Sequence, residues 1–278
     1  MRTRIISGVI MAAGGLLALW AGGYIAGLIV MLIAIGAYYE LCKACKTIDN
    51  EKRPVNVATV VGYLAIIAFY ANLLWGPKEN YYTVNAVILL VVILWQLAVY
   101  VFTYPRFKTG QIMAGAFNLL YAPLMLSYLY PIMTEFEHGK YLVFLVFVAS
   151  SISDACAYFV GVSMGKHKLA PLVSPKKSIE GSVGGILGAA IIGLIYGIIL
   201  YKTGIFPQFE VTWGFALIGG FGSVISQIGD LAASAIKRDH DIKDYSHLIP
   251  GHGGIMDRMD SICVTTPIIY YLALLLLK

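Results

Sequence analysis

Apolar segments alternate with short polar connections along the whole chain. Nine of these segments approach the roughly 20 residues that an α-helix needs to cross the hydrocarbon core of a bilayer. They cover residues 5–21, 24–42, 55–75, 83–103, 110–131, 141–164, 182–201, 211–234 and 260–277. We interpret the Gly22-Gly23 pair between the first two segments as a tight turn rather than as part of one very long helix. The pattern therefore predicts an all-α, polytopic membrane protein with about nine spans.

Composition supports a membrane protein without a separate soluble domain. Hydrophobic residues make up 59% of the chain, charged residues only 13%, and the mean hydropathy is +0.78. A soluble domain of this length could not bury so much apolar surface. We expect a single membrane domain over residues 1–278, with N-terminal helices in 1–135 as scaffold or lipid portal and catalytic helices and loops in 140–278. The apolar segment at the N-terminus is interpreted as a retained first helix rather than a signal peptide.

The distribution of positive charge predicts the orientation of the protein. With the N-terminus inside, sixteen of the twenty Lys and Arg residues fall in inside connections. An odd number of spans then places the C-terminus outside, in a multi-pass protein of the cell inner membrane or an equivalent membrane. Because these loop charges account for the net charge of +5, the charge does not indicate a nucleic-acid partner.

Two aspartates inside predicted spans are candidates for function. A carboxylate in a bilayer segment costs several kcal/mol unless it has a partner, and Asp154 and Asp230 are the two that we assign to spans. Helical spacing places Ser226, Ser234 and Lys237 on the same stripe as Asp230, and this stripe must face protein or water.

The segment around Asp154 combines the carboxylate with small residues. Tyr158, Gly161 and Gly165 share its helical face. The Gly161-x-x-x-Gly165 spacing permits another helix to approach closely, and we expect Tyr158 to have a packing role.

Two inside connections, residues 165–181 and 235–259, gather charged residues, prolines and glycines. In the second, glycines flank His252, so backbone N–H groups can approach an anion, and Asp257 and Asp260 begin the last helix. Carboxylates brought together beside phosphates suit Mg²⁺. The alternative is a solvated charged loop whose carboxylates cap a helix.

The charged C-terminal part of the chain contains a series of spaced motifs. They are Ser234-Ala-Ile-Lys237-Arg238, Lys243-Asp244, Pro250-Gly-His252-Gly-Gly254, Asp257-Arg258-Met-Asp260-Ser261, Asp154-x-x-Ala-Tyr158-x-x-Gly161 and Ser174-Pro-Lys176-Lys177-Ser178-Ile-Glu180-Gly181. Together these motifs resemble the signature of a known family, the phosphatidate cytidylyltransferases, also called CDP-diacylglycerol synthases. The resemblance is specific over residues 150–263, although many members have Thr-Trp where this chain has Ser178-Ile179.

The resemblance implies an enzyme that makes CDP-diacylglycerol from CTP and phosphatidic acid, a membrane lipid, with its active site facing the cytoplasm. It also implies a homodimer and a Mg²⁺ ion, with room for a second, monovalent cation. Carried over to this chain, the metal ligands are Asp230 and Asp257, with Asp260 as a weaker candidate. The implied catalytic residues are Asp230, Asp257, Lys237, Arg258 and His252.

The implied reaction requires positive charge to hold two polyanions together. Among the cations of the inside loops, we expect Lys176, Lys237 and Arg258 to lie nearest the phosphates. The expected substrate-binding residues are Ser174, Lys176, Lys177, Ser234, Arg238, Lys243, Gly253, Gly254 and Asp154.

Several roles stay open at this point. His252 is expected either to bind phosphate or to bond to backbone, and Asp154 either to serve the metal site or to pair with a lysine of residues 166–177. Ser174 and Ser234 have either a phosphate-binding role or a local capping role. A cation-coupled transporter or an anion channel is the alternative class, and a cytidylyltransferase for isoprenoid ether lipid phosphates is the nearer alternative.

Overall fold

A computed structural model describes residue 15, residues 22–48 and residues 55–277. The predicted first span, 5–21, lies outside the described residues except for Gly15. At the next predicted boundary, Gly22 and Gly23 both have positive φ values, 62° and 48°, a region that glycine enters without steric cost. A helix begins at Gly23, as expected if the Gly-Gly pair interrupts the helical pattern.

In the described residues, helices coincide with the other eight apolar segments, which confirms the all-α membrane fold. Seven of these helices are long and apolar enough to cross a membrane, and α2 is shorter. The helices are α1 (Gly23–Ala44), α2 (Val60–Trp75), α3 (Tyr81–Thr103, after a 3₁₀ turn at Lys78–Asn80), α4 (Thr109–Thr134), α5 (Gly139–Met164), α6 (Ile179–Lys202), α7 (Val211–Asp239) and α8 (Met256–Leu276). The total number of spans and the orientation of the protein remain predictions.

Local chemistry explains where helix ends differ from the predicted ones. The segment predicted to start at residue 55 becomes helical only at Val60, because the Asn56 Oδ1 accepts the N–H groups of Ala58 and Thr59, both at 2.9 Å. Helix α7 continues past residue 234 to Asp239 and so carries Lys237 and Arg238 in its last turn. Cations are favourable there because they complement the helix dipole.

A small β-hairpin interrupts the helical pattern in the connection between α5 and α6, where we expected no strand. Strand β1 (Lys168–Ala170) pairs antiparallel with β2 (Ser174–Ser178), with Lys168 opposite Ser178 and Ala170 opposite Ser174. The strand pairing provides hydrogen-bond partners for backbone N–H and C=O groups, which in an irregular loop would have to bond to water instead. The hairpin ends where Ser178 caps α6 by accepting the Gly181 N–H at 3.1 Å.

The chain divides into two compact units, which we describe separately. Unit 1 comprises Met1–Tyr130 and His240–Met259, and unit 2 comprises Pro131–Asp239 and Asp260–Lys278. In the described part of unit 1, α1 and α2 pack through Tyr38, which is fully buried and meets the Tyr63 ring edge-on at 5.1 Å. The expected single domain over residues 1–278 remains a prediction.

In unit 2, glycines allow helices to pack at short distance around α6. One face of α6 presents Gly193 and Gly197 to α7, and another presents Gly184 and Gly188 to α5. A side chain at Gly193 would lie 2.5 Å from the Phe215 carbonyl oxygen, so α6 and α7 contact each other backbone to backbone. Helix α6 therefore lies between α5 and α7, and this places the hairpin before α6 beside both neighbours.

Candidate functional site

Unit 2 contains a cavity of about 470 Å³ at the hairpin end of α5, α6 and α7. Its wall joins acidic groups from the helices with basic groups from the hairpin, so charge of both signs meets in one place. Apolar residues such as Val162 and Leu169 form the rest of the wall. The polar and charged lining residues are Asp154, Tyr158, Lys168, Lys176, Lys177, Ser178, Ser182, Gln227 and Asp230.

Asp230 and Lys177 form an ion pair across this cavity, with each side chain about one quarter exposed, 26% in both cases. Asp230 comes from α7 and Lys177 from β2. Asp154 lines the same cavity and interacts electrostatically with both residues. The carboxylates of the two predicted spans therefore lie in the same cavity. The ammonium group of a hairpin lysine supplies a positive charge that interacts with both of them.

A π-helical turn places Asp154 at the cavity. Residues Val148–Ile152 of α5 form this turn directly before the α-helical stretch that carries Asp154. Such turns shift the register of side chains along a helix and occur frequently at functional sites. The exposed Asp154 side chain faces the cavity instead of the helix core.

The hairpin is tied to α6 by Glu180. Its carboxylate accepts the N–H groups of Lys166 at 3.1 Å and His167 at 3.2 Å, and its Oε1 lies 2.6 Å from the His167 Nδ1. These contacts hold the two residues directly before β1, which begins at Lys168. Lys176 and Lys177 line the cavity as expected, whereas Ser174 lies at the start of β2 outside the cavity lining.

The glycines of α5 have the packing role that their spacing predicts. A side chain at Gly161 would meet the Ser178 Oγ at 3.0 Å and the Gly181 Cα at 3.7 Å, so α5 and the start of α6 are in close contact. Tyr158, in contrast, is 66% exposed and lines the cavity. Its role as a core packing residue is not what the structure shows.

A hydrogen-bonded network connects the cavity wall to neighbouring buried residues, and the sequence analysis did not predict it. The Ser182 hydroxyl donates to the Gln227 Oε1, the Gln227 Nε2 donates to the Ser223 Oγ at 3.3 Å, and Ser223 lies 2.6 Å from the Ser153 Oγ. These residues join α5, α6 and α7. Gln227, one helical turn before Asp230, is buried. The signal that could have revealed it is a polar side chain within an apolar segment of the sequence.

Asp260 adds a third carboxylate to the charges of unit 2. It is buried, with 8% exposure, and interacts electrostatically with Asp230, Asp154 and Lys237. Gly229 makes this arrangement possible, because a side chain there would lie 3.0 Å from the Asp260 carbonyl oxygen. Ser234 and Lys237 continue the stripe of Asp230 along α7 and are half-buried.

The glycine-rich connection belongs to unit 1 and folds around Asp257. The Asp257 Oδ2 accepts the N–H groups of Tyr245 at 2.8 Å and Gly254 at 2.9 Å. Gly251 and Gly253 have φ values of 80° and 82°, which glycine alone adopts readily. Asp257 thus closes the loop onto the first turn of α8.

The other site residues that we predicted in this connection lie in or beside the same glycine-rich turn. His252 is half-buried, its N–H donates to the Ile249 carbonyl at 2.9 Å, and its own carbonyl accepts the Arg258 Nε at 3.0 Å. Both bonds involve main-chain groups of His252, so the role of its imidazole ring stays a prediction. Lys243 is exposed on the connection, and Arg238 is exposed at the end of α7.

Glu40 is the main residue that sequence reasoning missed. It lies on α1 within the predicted span 24–42, is only 1% exposed, and accepts hydrogen bonds from Ser246, Ile255 and Met256 of the glycine-rich connection. The rule that selected Asp154 and Asp230 applies equally to this carboxylate, so restricting it to the two aspartates was wrong.

Within residues 22–48 and 55–277, no three side chains of His, Cys, Asp or Glu form a group that could hold a metal ion by themselves. Mg²⁺ needs fewer protein ligands, because it retains waters and binds through one or two carboxylates together with substrate phosphates. The aspartate oxygens of both units are hard ligands of the type that Mg²⁺ accepts.

These features define an all-α, multi-pass membrane protein with a cavity lined by lysines and aspartates in unit 2 and a glycine-rich turn folded around Asp257 in unit 1. Comparison with known proteins is consistent with that class. The sequence profile described as "Cytidylyltransferase family" matches residues 2–276. The chain belongs to this family and is therefore a nucleotidyltransferase enzyme.

Similar proteins carry a more specific name. A phosphatidate cytidylyltransferase from Bacillus subtilis (strain 168) is 29% identical over 98% of this chain and 97% of its own length. One from Synechocystis sp. (strain PCC 6803) is 32% identical over 99% and 97%. One from Haemophilus influenzae is 40% identical over 48% of this chain and 46% of its own length. The resemblance inferred from the charged motifs is thus confirmed.

Proposed function

We propose that this protein transfers the cytidylyl group of CTP to phosphatidate, producing CDP-diacylglycerol and pyrophosphate at the cytoplasmic face of a membrane. Family membership and the names of the relatives support the reaction class. The observation that carries the proposal is the cavity of unit 2, where Lys168, Lys176 and Lys177 stand beside Asp154 and Asp230.

The chemistry asks for charge neutralisation and alignment. A phosphate oxygen of phosphatidate attacks the α-phosphorus of CTP, a new P–O bond forms, and the bond from that phosphorus to the oxygen bridging the β-phosphorus breaks. The electron pair leaves with pyrophosphate. Because the nucleophile is already an anion at neutral pH, no strong general base is needed, and positioning with electrostatic stabilisation dominates.

The lysines supply much of that stabilisation. Two polyanions repel each other, so cations must lie between or beside them when the phosphorus is attacked. Lys177 is held by its ion pair with Asp230 and by the hairpin, so its ammonium group is oriented before substrate arrives. Lys237, Arg238, Lys243 and Arg258 are proposed as further phosphate ligands because they match the family motif.

We propose Asp230 and Asp257 as the protein ligands of Mg²⁺, with Asp260 as a supporting carboxylate and a second, monovalent cation nearby. Bound Mg²⁺ would neutralise phosphate charge and polarise the α-phosphoryl group. The carboxylate oxygens fit this hard cation, and the buried positions of Asp257 and Asp260, each 8% exposed, favour a compensating positive charge.

The cavity also suits a substrate with a polar head and an apolar body. Val162, 72% exposed, and Leu169 lie on its wall beside the charged groups. In a membrane, such a wall lets the headgroup of a lipid reach the lysines while its chains stay in the leaflet. A homodimer is proposed from the family resemblance.

Purified protein in detergent tests the proposal. Labelled CTP and phosphatidate should give CDP-diacylglycerol in a Mg²⁺-dependent reaction, and Asp257→Asn should lose it while Asp241→Asn, an exposed acid of the same connection, retains it. A folded parent that turns over only isoprenoid ether lipid phosphates would assign the nearer alternative. Solute flux in liposomes without CTP would indicate a transporter.

A further inference from the structure

Glu40 is a buried carboxylate to which the proposed function assigns no role. Its side chain is 1% exposed on α1, in a helix whose other residues are predominantly apolar. Its Oε1 accepts the Ser246 hydroxyl at 2.5 Å and the Ile255 N–H at 3.0 Å, and its Oε2 accepts the Met256 N–H at 2.7 Å. Three donors compensate a carboxylate that would otherwise be costly to bury.

The donors show what the carboxylate does. The N–H groups of Ile255 and Met256 lie at the beginning of α8, where backbone donors have no partner within the helix. A negative charge at this end also complements the helix dipole. Glu40 thus caps α8 from a different helix, more than 200 residues away in the sequence.

The same carboxylate joins the two ends of the glycine-rich turn. Ser246 precedes the turn and Met256 follows it, so their shared acceptor closes the segment between them. Gly254 lies against Glu40 so closely that any side chain there would collide with the carboxylate oxygens. One reason for glycine at this position is therefore contact with Glu40, in addition to the approach of an anion.

Glu40 and Asp257 hold consecutive backbone groups. The Gly254 N–H donates to Asp257, and the next two N–H groups, of Ile255 and Met256, donate to Glu40. The direction of the Asp257 side chain depends on this turn of backbone. A change at Glu40 should therefore be transmitted to Asp257 and to the adjacent Arg258.

We propose that Glu40 is a positioning residue, which holds residues 245–257 in the conformation that presents Asp257 and Arg258 to metal and phosphate. This inference rests on the proposed function. It assigns to the N-terminal helices a specific contribution to the active site, where the sequence suggested only a scaffold or a lipid portal.

The test is Glu40→Gln, which keeps the shape of the side chain but replaces one acceptor oxygen with a donor amide. Hydrogen exchange measured by mass spectrometry on peptides covering 245–257 should become about 10-fold faster or more, with peptides of α6 and α7 unchanged. The half-saturating Mg²⁺ concentration should rise about 10-fold, as seen when residues that orient metal ligands are removed. The KM for phosphatidate should stay nearly constant.

Glu135→Gln is the matched control, because Glu135 directly follows helix α4 and also accepts a hydroxyl donor, Tyr270 at 2.5 Å, but belongs to unit 2. It should change neither exchange in 245–257 nor the Mg²⁺ dependence. If Glu40→Gln does not fold, Ser246→Ala removes one of the three donors and should raise the half-saturating Mg²⁺ concentration about threefold.

The outcomes separate this inference from the proposed function. An inactive parent would refute the proposed reaction, while faster exchange confined to 245–257 would still support the anchoring role of Glu40. An active Glu40→Gln protein with parental Mg²⁺ dependence would overturn the positioning role, even if the turn exchanged faster.

Discussion

The two charged connections of the molecule are held in different ways. The hairpin between α5 and α6 is tied by its last residue, Ser178, and by Glu180, which follows two residues later in the sequence. The glycine-rich connection between α7 and α8 is tied at one side by Asp257, which is local, and at the other by Glu40, which is not. The position of the hairpin lysines thus depends on contacts with residues nearby in the sequence. The position of Asp257 also depends on a residue far away in the sequence, Glu40.

The comparison teaches that a charged loop in a membrane enzyme can be ordered by two routes. A hairpin uses its own backbone pairing, so a single helix cap is enough to orient it. A glycine-rich turn has little pairing of its own and many accessible conformations, so it requires buried acceptors. Changes to the second connection should therefore have the larger effects.

The largest effect is expected for Asp257→Ala. The substitution removes a proposed Mg²⁺ ligand and leaves the N–H groups of Tyr245 and Gly254 without their acceptor. We expect kcat/KM to fall about 1000-fold and the thermal midpoint in detergent to drop. Asp241→Asn provides the control, because Asp241 is exposed and asparagine tolerates its positive φ of 55°. An Asp257→Ala protein with more than a tenth of parental activity would exclude the metal assignment.

The second largest loss of activity is expected for Lys177→Met, a substitution in the hairpin. The variant leaves Asp230 without its ionic partner and removes one cation from the cavity. Steady-state assays should show kcat/KM reduced about 100-fold. Lys202→Met, at the exposed far end of α6, should behave like the parent, and equal losses in both variants would contradict a specific phosphate role for Lys177.

Gly254→Ala examines the crowded contact with Glu40. A methyl group would meet the carboxylate, and overpacking of this kind typically lowers the free energy of unfolding by about 1–3 kcal/mol. Thermal unfolding should show a lower midpoint, and activity should fall about 10-fold through the displaced turn. The matched change Gly110→Ala, where nothing lies within 4 Å in α4, should leave both properties at parental values.

The smallest effect is expected for Glu180→Gln. Its hydrogen bonds to Lys166 and His167 are near the surface, and such contacts contribute little individually. The KM for CTP should rise about threefold with kcat nearly unchanged, and exchange should quicken only in 166–178. Glu210→Gln serves as control. A Glu180 effect larger than that of Gly254→Ala would reverse the proposed difference between the connections.

Much of the fold follows from hydropathy, because a bilayer requires long apolar segments with internally satisfied backbone. Helices were found at every predicted span within the described residues. The charged residues of the cavity were also predictable, since Asp154, Asp230 and the lysines of the hairpin stand out against an apolar sequence. The hairpin itself was not, because three- and five-residue strands leave no periodicity to detect.

The sequence by itself determined the class of protein, the candidate carboxylates and lysines, and the glycines that permit close helix packing. Tertiary structure alone decided which of these groups meet: Lys177 with Asp230, Gln227 with Ser182, and Glu40 with the beginning of α8. The physical reason is that apolar periodicity records only whether a residue is buried. The partner of a buried polar group is selected by helix packing between residues that lie far apart in the chain.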